Sequence, residues 1–403
     1  MLSRVGSAKR VAVLLVAAVF AAGCAHADEE VSIAPLVPAA GRVDPGLGPG
    51  TRALSSGPGY KGSPSWSPGG DRIAFTVDDY VVDRPTDSED LRRSTTRDFI
   101  AEDTEWISED TLMILGATSP SGTQEETPSS LYRTRADEDS LELEKVEKEV
   151  SAIGPGGGGL IFAFGRGALE SGLALTRGSG NVRRLYSKSI KGRVASLSLS
   201  PDGDEAVLAV RPPGDLETSV LHVFDLRKGE GREITRLDGN QEILGTPQWM
   251  GQYLYFVAGE KNMRVDSDGS EPHYKIYRVP EEGGAPEPAP GVGEDFVAAS
   301  IRVSPDGERL AVIGRLNPKS PTNLYVLDPL TKDLTAVTMN EDMELKTGPD
   351  DLAWSPGGES VAVIARGTPS TEPEVRAAPA DRLLRDFYNI YEIPVAGTED
   401  APR

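Results

Sequence analysis

The chain has 403 residues, and its 63 acidic against 42 basic side chains give a net charge of −21. So negative a surface repels phosphate backbones, which argues against nucleic acid as a partner. The single cysteine, Cys24, excludes a disulfide framework and a cysteine-rich metal site, while 44 glycines and 31 prolines favour many short strands joined by turns.

The N-terminus has the pattern of an export signal. A basic start precedes an apolar stretch over residues 11–22, which is too short to remain as a membrane span. The run Ala21-Ala22-Gly23-Cys24 resembles a bacterial lipobox, although leucine is usual where Ala21 stands. We therefore expect a signal peptide over 1–23, lipidation of Cys24 and an extracytoplasmic protein on the cell membrane. The alternative is secretion after cleavage following Ala27, which ends an Ala-x-Ala site.

Beyond the signal, composition suggests three further regions. Residues 24–50 are rich in proline, glycine and alanine and lack a sustained period, which is typical of a flexible tether. Residues 51–397 carry repeated strand patterns and form the expected main domain. Residues 398–403 form a short C-terminal tail.

A short phrase recurs along the main domain. Its first copy, residues 66–75, reads Trp-Ser-Pro-Gly-Gly-Asp-Arg-Ile-Ala-Phe. Proline presets φ for a tight turn, and the last glycine accepts the positive φ that such a turn or a G1 bulge needs, so each copy predicts a strand, a turn and a second, buried strand. Taking Trp66 as the reference position, the equivalent residues are Trp66, Trp106, Ile153, Leu199, Trp249, Val303 and Trp354.

These copies predict a β-propeller. Further strand patterns between them give about four short strands per unit, and one unit is too small to bury its own apolar face. We predict an all-β, seven-bladed propeller. Six blades remain an alternative, because the second and fifth copies lack the Pro-Asp-Gly turn. The last unit lacks a fourth strand, and residues 51–56 resemble one, so we expect them to complete the last blade and close the ring.

The phrase resembles the repeat of TolB-type, WD40-like β-propeller proteins at residues 66–75, 303–312 and 354–363. That resemblance implies the propeller fold. It also implies the role of an exported binding protein or, as in some members, of a propeller domain attached to a peptidase. TolB itself carries a separate N-terminal α/β domain. Residues 28–62 are too short for one, so a role in a Tol system does not carry over.

No catalytic residue, metal site or cofactor is predicted. The three histidines are His26, His222 and His273, too few for a histidine-rich metal site, and no nucleophile elbow accompanies them. His222 lies inside a strand pattern, where a packed histidine is the expected role. Residues 266–271 loosely resemble a calcium loop but lack its full spacing, which favours a solvated turn.

Basic residues recur near the end of the second strand of five consecutive units. We call them the cationic arc, and they are Arg166, Arg211, Lys261, Arg315 and Arg366. Equivalent positions of a propeller share one face, so the arc is a candidate site for an anionic ligand. The alternative is that each cation pairs with a carboxylate of its own or the neighbouring blade.

The sequence thus favours a non-catalytic, lipid-anchored binding protein of the cell envelope. Its expected partner is an envelope protein or an anionic glycan or polymer, and nothing in the sequence indicates an oligomeric state. The alternative is a propeller enzyme, a glycoside hydrolase or lyase that uses acidic residues in the central pocket. Clustered, partly buried carboxylates in a deep pocket would favour the enzyme, and a shallow charged face the binding protein.

Overall fold

Seven small antiparallel sheets build the fold, which confirms the predicted seven-bladed β-propeller. The computed structural model describes residues 47–55, 59–88, 92–95, 99–118, 128–136, 142–156, 159–165, 169–178, 181–185, 190–215, 218–237, 241–260, 273–340, 344–348, 350–366 and 388–395. Within these ranges no helix is long and apolar enough to cross a bilayer.

The strands follow chain order around the ring, after β1 (Arg52–Ala53), which belongs to the last blade. Blade 1 is β2 (Lys61–Trp66), β3 (Arg72–Val77), β4 (Tyr80–Pro85) and β5 (Arg92–Arg93), and blade 2 is β6 (Phe99–Trp106), β7 (Thr111–Thr118), β8 (Ser130–Arg135) and β9 (Glu144–Lys148). Blade 3 is β10 (Val150–Gly156), β11 (Gly159–Phe164), β12 (Gly172–Arg177) and β13 (Asn181–Leu185), and blade 4 is β14 (Arg193–Leu199), β15 (Glu205–Arg211), β16 (Ser219–Asp225) and β17 (Glu230–Leu237).

The remaining blades keep the same order. Blade 5 is β18 (Gln241–Met250), β19 (Tyr253–Glu260), β20 (Lys275–Pro280) and β21 (Glu287–Pro288), and blade 6 is β22 (Val297–Val303), β23 (Leu310–Arg315), β24 (Asn323–Asp328) and β25 (Asp333–Ala336). In blade 7 the first strand is split into β26 (Glu344–Leu345) and β27 (Leu352–Trp354), followed by β28 (Ser360–Arg366), β29 (Tyr388–Pro394) and β1.

The Ser-Pro turns have the conformation that the repeat predicts. In blade 4 the amide of Gly203 donates to the carbonyl of Ser200 at 2.9 Å, and φ of Gly203 is 71°. The Ser200 hydroxyl also accepts the amide of Glu205 at 2.9 Å, which fixes the start of the second strand. The same contacts recur in the turns 67–70, 304–307 and 355–358. Proline and glycine therefore set the turn, and serine anchors it.

The core lies between neighbouring blades. The four reference tryptophans are each at most 9% exposed and pack among the aliphatic residues of the adjacent sheet. Between blades 7 and 1, for example, Trp66 and Phe75 contact Ile364 and Ile390. Fully burying a large apolar side chain stabilises the folded state by about 1.5–3 kcal/mol. Each blade therefore depends on the adjacent blade for its stability.

The ring closes as predicted, because β1 pairs with β29 in antiparallel register and supplies the fourth strand of blade 7. The amide of Leu54 donates to the carbonyl of Ile390 at 2.8 Å, and the Leu54 side chain is fully buried. Leu47, which falls in the predicted tether, is also fully buried, among residues of blades 6 and 7. The ordered fold therefore starts before residue 51.

Arginines link the outer edges of several blades. Among the described residues, four junctions have a fourth-strand arginine that donates to a backbone carbonyl at or just after the end of the third strand of the next blade. We call these contacts the arginine struts, and they are Arg52 to Thr86, Arg92 to Arg135, Arg183 to Leu226 and Arg232 to Glu281. The sequence does not predict them, because the acceptor of each contact is a backbone carbonyl of another blade.

Blade 1 also contains a buried ionic network. Asp83 is fully buried and accepts hydrogen bonds from Arg72, from Arg92 Nε at 2.9 Å and from the Ser94 hydroxyl at 2.7 Å. A buried carboxylate with several donors is stable only while all its partners remain.

Candidate functional site

The first strands of the blades surround the propeller axis, and a cavity of about 620 Å³ opens between them. We call it the central cavity. It lies on the face that carries the Ser-Pro turns, which we call the turn face. In six of the seven blades the residue just before the reference position lines it, and these residues form what we call the channel ring: Ser65, Glu105, Ser198, Gln248, Arg302 and Ala353. Five of the six are polar, so the wall of the central cavity suits a polar ligand.

Glu105 is the acidic member of the channel ring. It is partly exposed to the central cavity but otherwise surrounded by protein, and it accepts a hydrogen bond from the Ser65 hydroxyl. Burial raises the pKa of Glu105 from 4.5 to about 7, and the charge of Arg302 opposes this rise. Glu105 therefore exchanges a proton near neutral pH, which is typical of functional carboxylates.

Two further carboxylates lie close to Glu105. Asp103 is two residues earlier on the same strand, and Asp350 belongs to the segment between β26 and β27. Burial raises the pKa of Asp103 well above 3.8, and the negative charges of Asp350 and Glu105 raise it further. Burial likewise raises the pKa of Asp350, while the charge of Arg302 lowers it. We call these three residues the carboxylate cluster. Their mutual repulsion favours retention of protons within it.

Arg302 is the cation of the channel ring. Its backbone carbonyl accepts the indole N–H of Trp354 at 2.9 Å, which holds this part of β22 against blade 7. In the part of the chain that the structure describes, its guanidinium has no carboxylate within 4.0 Å and donates no hydrogen bond. The carboxylate cluster acts on it only at longer range. The guanidinium therefore keeps its donors for a ligand in the central cavity.

A second cavity of about 400 Å³ opens on the opposite face, which we call the loop face. Tyr60 and Tyr388 border it with ring centroids 5.4 Å apart, and Lys346 Nζ lies 4.1 Å from the centroid of Tyr60. Lys346 also pairs with Asp351 at 2.9 Å. Asp350 lines this cavity and interacts electrostatically with Glu105 of the channel ring. The carboxylate cluster therefore connects the two faces of the propeller electrostatically.

The cationic arc is partly visible. Arg211, Arg315 and Arg366 are each the last residue of a second strand, on the loop face. Arg211 lies 3.6 Å from Glu242 of the next blade, as the pairing alternative predicts, and Arg315 Nε donates to Thr322 at 3.1 Å. Anion binding by the arc stays a prediction. The other two members, Arg166 and Lys261, lie outside the described residues.

Three candidates from the sequence remain. Cys24 and residues 266–271 lie outside the described residues. His222 is half-buried within β16, opposite Leu208, and burial lowers its pKa. In the ranges that the structure covers, no group of three or more histidine, cysteine or acidic residues is arranged to hold a metal ion.

Sequence reasoning missed the channel ring although the repeat contained its signal. The cationic arc lies near the end of the second strands, whereas Glu105 and Arg302 stand on first strands, one residue before a reference position. The motif residues Trp66, Pro201 and Pro305 also line the central cavity.

Comparisons with known proteins agree on the fold. No known protein family and no curated protein matches this sequence. The chain is a β-propeller. An oligogalacturonate lyase from Vibrio parahaemolyticus is 12% identical, with 86% of this chain and 93% of that one covered at a TM-score of 0.52. A chain of the mitotic checkpoint complex is 13% identical, with 83% and 90% covered at 0.53.

A TolB homologue from Agrobacterium tumefaciens is also a structural neighbour. It is 14% identical, with 84% of this chain and 91% of that one covered, at a TM-score of 0.43. The two neighbours with TM-scores above 0.5 share the propeller fold with this chain, and at identities this low no activity transfers. The neighbours include both enzymes and proteins of other roles, so the site itself has to carry the functional argument.

Proposed function

We propose that this chain is a non-catalytic binding protein of the cell envelope, anchored through a lipid on Cys24, and that its ligand occupies the central cavity. The observation that supports this is the guanidinium of Arg302 in the cavity wall, which has no carboxylate within 4.0 Å among the described residues. Ser65, Ser198 and Gln248 place neutral hydrogen-bonding groups around it. This set suits a ligand with an acidic group and hydroxyl groups, such as an acidic glycan or an acidic protein segment.

Proton uptake by Glu105 should regulate such binding. An ionised Glu105 repels an anionic ligand beside Arg302, whereas the protonated form donates a hydrogen bond to it. Because the pKa of Glu105 is raised to about 7, the affinity for an anionic ligand should rise as pH falls from 8 to 6. Glu105→Gln should bind the ligand with little dependence on pH over this range.

A trimer of galacturonate is a suitable probe, since each sugar carries a carboxylate and hydroxyl groups and a similar propeller is named for acting on such oligomers. Trp66, Trp249 and Trp354 line the central cavity, so binding should change tryptophan fluorescence. We expect Arg302→Gln to weaken binding of the trimer by about tenfold or more, the effect of losing one charge-assisted hydrogen bond. Arg193→Gln, an exposed first-strand arginine outside the cavity lining, is the matched control.

Equal affinities of the Arg302→Gln and Arg193→Gln variants would contradict the proposed site. Absence of any saturable fluorescence change in the full chain, with both the trimer and an acidic peptide, would contradict the proposed ligand chemistry.

A second candidate function is acid–base catalysis on a glycan, as a lyase or glycoside hydrolase. The carboxylate cluster favours it, because partly buried carboxylates with raised pKa are the groups that such chemistry uses. Glu105 lines the central cavity and Asp350 lines the cavity on the loop face, so this candidate rests on their electrostatic interaction and not on a shared pocket. Arg302 would then neutralise the carboxylate of the substrate.

One incubation distinguishes the two candidates. The full chain is mixed with the galacturonate trimer, and products are followed by the ultraviolet absorbance of unsaturated sugars and by new reducing ends. A binding protein leaves the trimer intact. Cleavage that is abolished by Glu105→Gln, with trimer binding retained, would establish the enzyme.

A further inference from the structure

A cavity of about 380 Å³ lies between blades 3 and 4 on the turn face, apart from the central cavity. Three arginines line it: Arg177 at the end of β12, Arg183 on β13 and Arg227 just after β16. Asn181 adds a side-chain amide. Among the described residues that line it, Asp204 is the one acidic side chain. We call this the 3/4 cavity.

The three guanidinium groups are held in place by contacts with blade 4. Arg177 Nη2 donates to the carbonyl of Gly203 at 2.8 Å, and Arg183 Nη2 donates to another backbone carbonyl at 3.0 Å as one of the arginine struts. Arg227 pairs with Asp204. A guanidinium has five N–H donors, so each arginine is positioned by one contact while most of its donors remain for a ligand.

The charge at this junction differs from that at the other struts. At the other three junctions the strut arginine also pairs with a carboxylate: Arg52–Glu392 at 2.6 Å, Arg92–Asp83 at 2.9 Å and Arg232–Glu205 at 4.0 Å. Within the residues that the structure covers, neither Arg183 nor Arg177 has such a partner. The 3/4 cavity thus keeps the strut geometry without its counter-charge, in a chain of net charge −21.

We propose that the 3/4 cavity binds a phosphate group. Three guanidinium groups against one carboxylate leave two positive charges, which match the charge of a phosphate monoester at neutral pH. Planar guanidinium groups donate paired hydrogen bonds to phosphate oxygens, and the Asn181 amide can complete the shell. This site is independent of the central cavity, so it stands whether or not the proposed function is correct.

Inorganic phosphate is the first probe, titrated into the full chain by calorimetry and by phosphorus NMR. We expect Arg177→Gln and Arg183→Gln each to weaken phosphate binding by about tenfold or more, because each removes charge-assisted hydrogen bonds. Asp204→Asn should strengthen binding, since it removes the competing negative charge. Arg232→Gln is the matched control: it removes a strut of the same kind at the next junction, and phosphate binding should be unchanged.

Two results would overturn the proposal. One is absence of saturable phosphate binding by the full chain. The other is an equal loss of phosphate affinity in the Arg183→Gln and Arg232→Gln variants. That result would mean that the Arg183 strut affects only the stability of the ring. Thermal melting of each variant without phosphate separates loss of binding from loss of folding.

Additional arms identify the source of the phosphate group. Glycerol phosphate serves as the soluble ester, and phosphatidylcholine vesicles with or without phosphatidic acid serve as the lipid form. Binding of the soluble ester but not of phosphatidic acid vesicles would assign a soluble or polymeric ligand. Binding of both, each weakened by Arg183→Gln, would assign a lipid headgroup. Vesicle binding that is insensitive to this substitution counts against the 3/4 cavity.

Discussion

Glu105 should destabilise the folded propeller above neutral pH. Its pKa is raised from 4.5 to about 7, so the folded chain holds this proton more tightly than the unfolded chain. The full stability is therefore present below pH 4.5 and is lost as pH rises through 7. A pKa difference of about 2.5 corresponds to roughly 3 kcal/mol, at about 1.4 kcal/mol for each unit. Glu105→Gln, which mimics the protonated form, should be more stable than the natural protein at pH 8 by about this amount.

The test is denaturant unfolding followed by tryptophan fluorescence between pH 5 and pH 8. The gain from Glu105→Gln should shrink to below about 1 kcal/mol at pH 5, where most of the unfolded-state difference has disappeared. Asp103 and Asp350 are present in both proteins and interact electrostatically with Glu105, so the measured gain includes the change that the substitution makes to their proton uptake. Glu109→Gln, on the exposed turn of the same blade, should change stability little at any pH. The reasoning fails if Glu105→Gln is no more stable at pH 8, or if its gain does not depend on pH.

Three further substitutions test the fold by the same unfolding measurement. Leu54→Ala should lower the free energy of unfolding by about 2–5 kcal/mol, because Leu54 is fully buried in the segment that closes the ring. Leu316→Ala, at an exposed position, should change it by no more than about 0.5 kcal/mol. Similar changes for both variants would contradict closure. Asp83→Ala should cost about 3–5 kcal/mol, because it removes the fully buried carboxylate that the partly buried side chains of Arg72 and Arg92 share. A loss under about 1 kcal/mol would show that the ionic network contributes little to stability. Trp106→Phe should destabilise the fold by about 1 kcal/mol more than Trp249→Phe. The reason is that the indole N–H of Trp106 donates to the carbonyl of Ser65 at 3.1 Å, while that of Trp249 has no partner among the described residues. Equal losses of stability would show that this hydrogen bond contributes little.

The blade count was accessible from the sequence because each blade is built by local chemistry. Proline and glycine fix a turn four residues long, and the apolar run after it must be buried. The motifs that begin at Trp66 and Trp354 therefore each predict a blade from local sequence alone. Closure was accessible by counting. Blade 7 lacked one strand, and residues 51–56 had the pattern of that strand.

The arginine struts and the 3/4 cavity were not accessible in this way. A strut joins an arginine of one blade to a carbonyl of the next, and a backbone carbonyl leaves no trace in the sequence. The lack of a carboxylate beside Arg183 is apparent only when the ion pairs of the four strut arginines are compared in the folded structure. Likewise, the pairing of Arg211 with Glu242 depends on how close neighbouring blades approach.

The sequence by itself determined the propeller and the strand that closes it, because these follow from local turn geometry and from the need to bury apolar faces, and it favoured seven blades over the six that the structure rules out. Only the tertiary structure decided where chemistry can occur. Asp103 and Glu105 come from blade 2, Arg302 from blade 6 and Asp350 from blade 7, and they meet because the ring brings these blades around one axis. Their shifted pKa values arise from enclosure and mutual repulsion, which are properties of distance and burial that a linear sequence does not display.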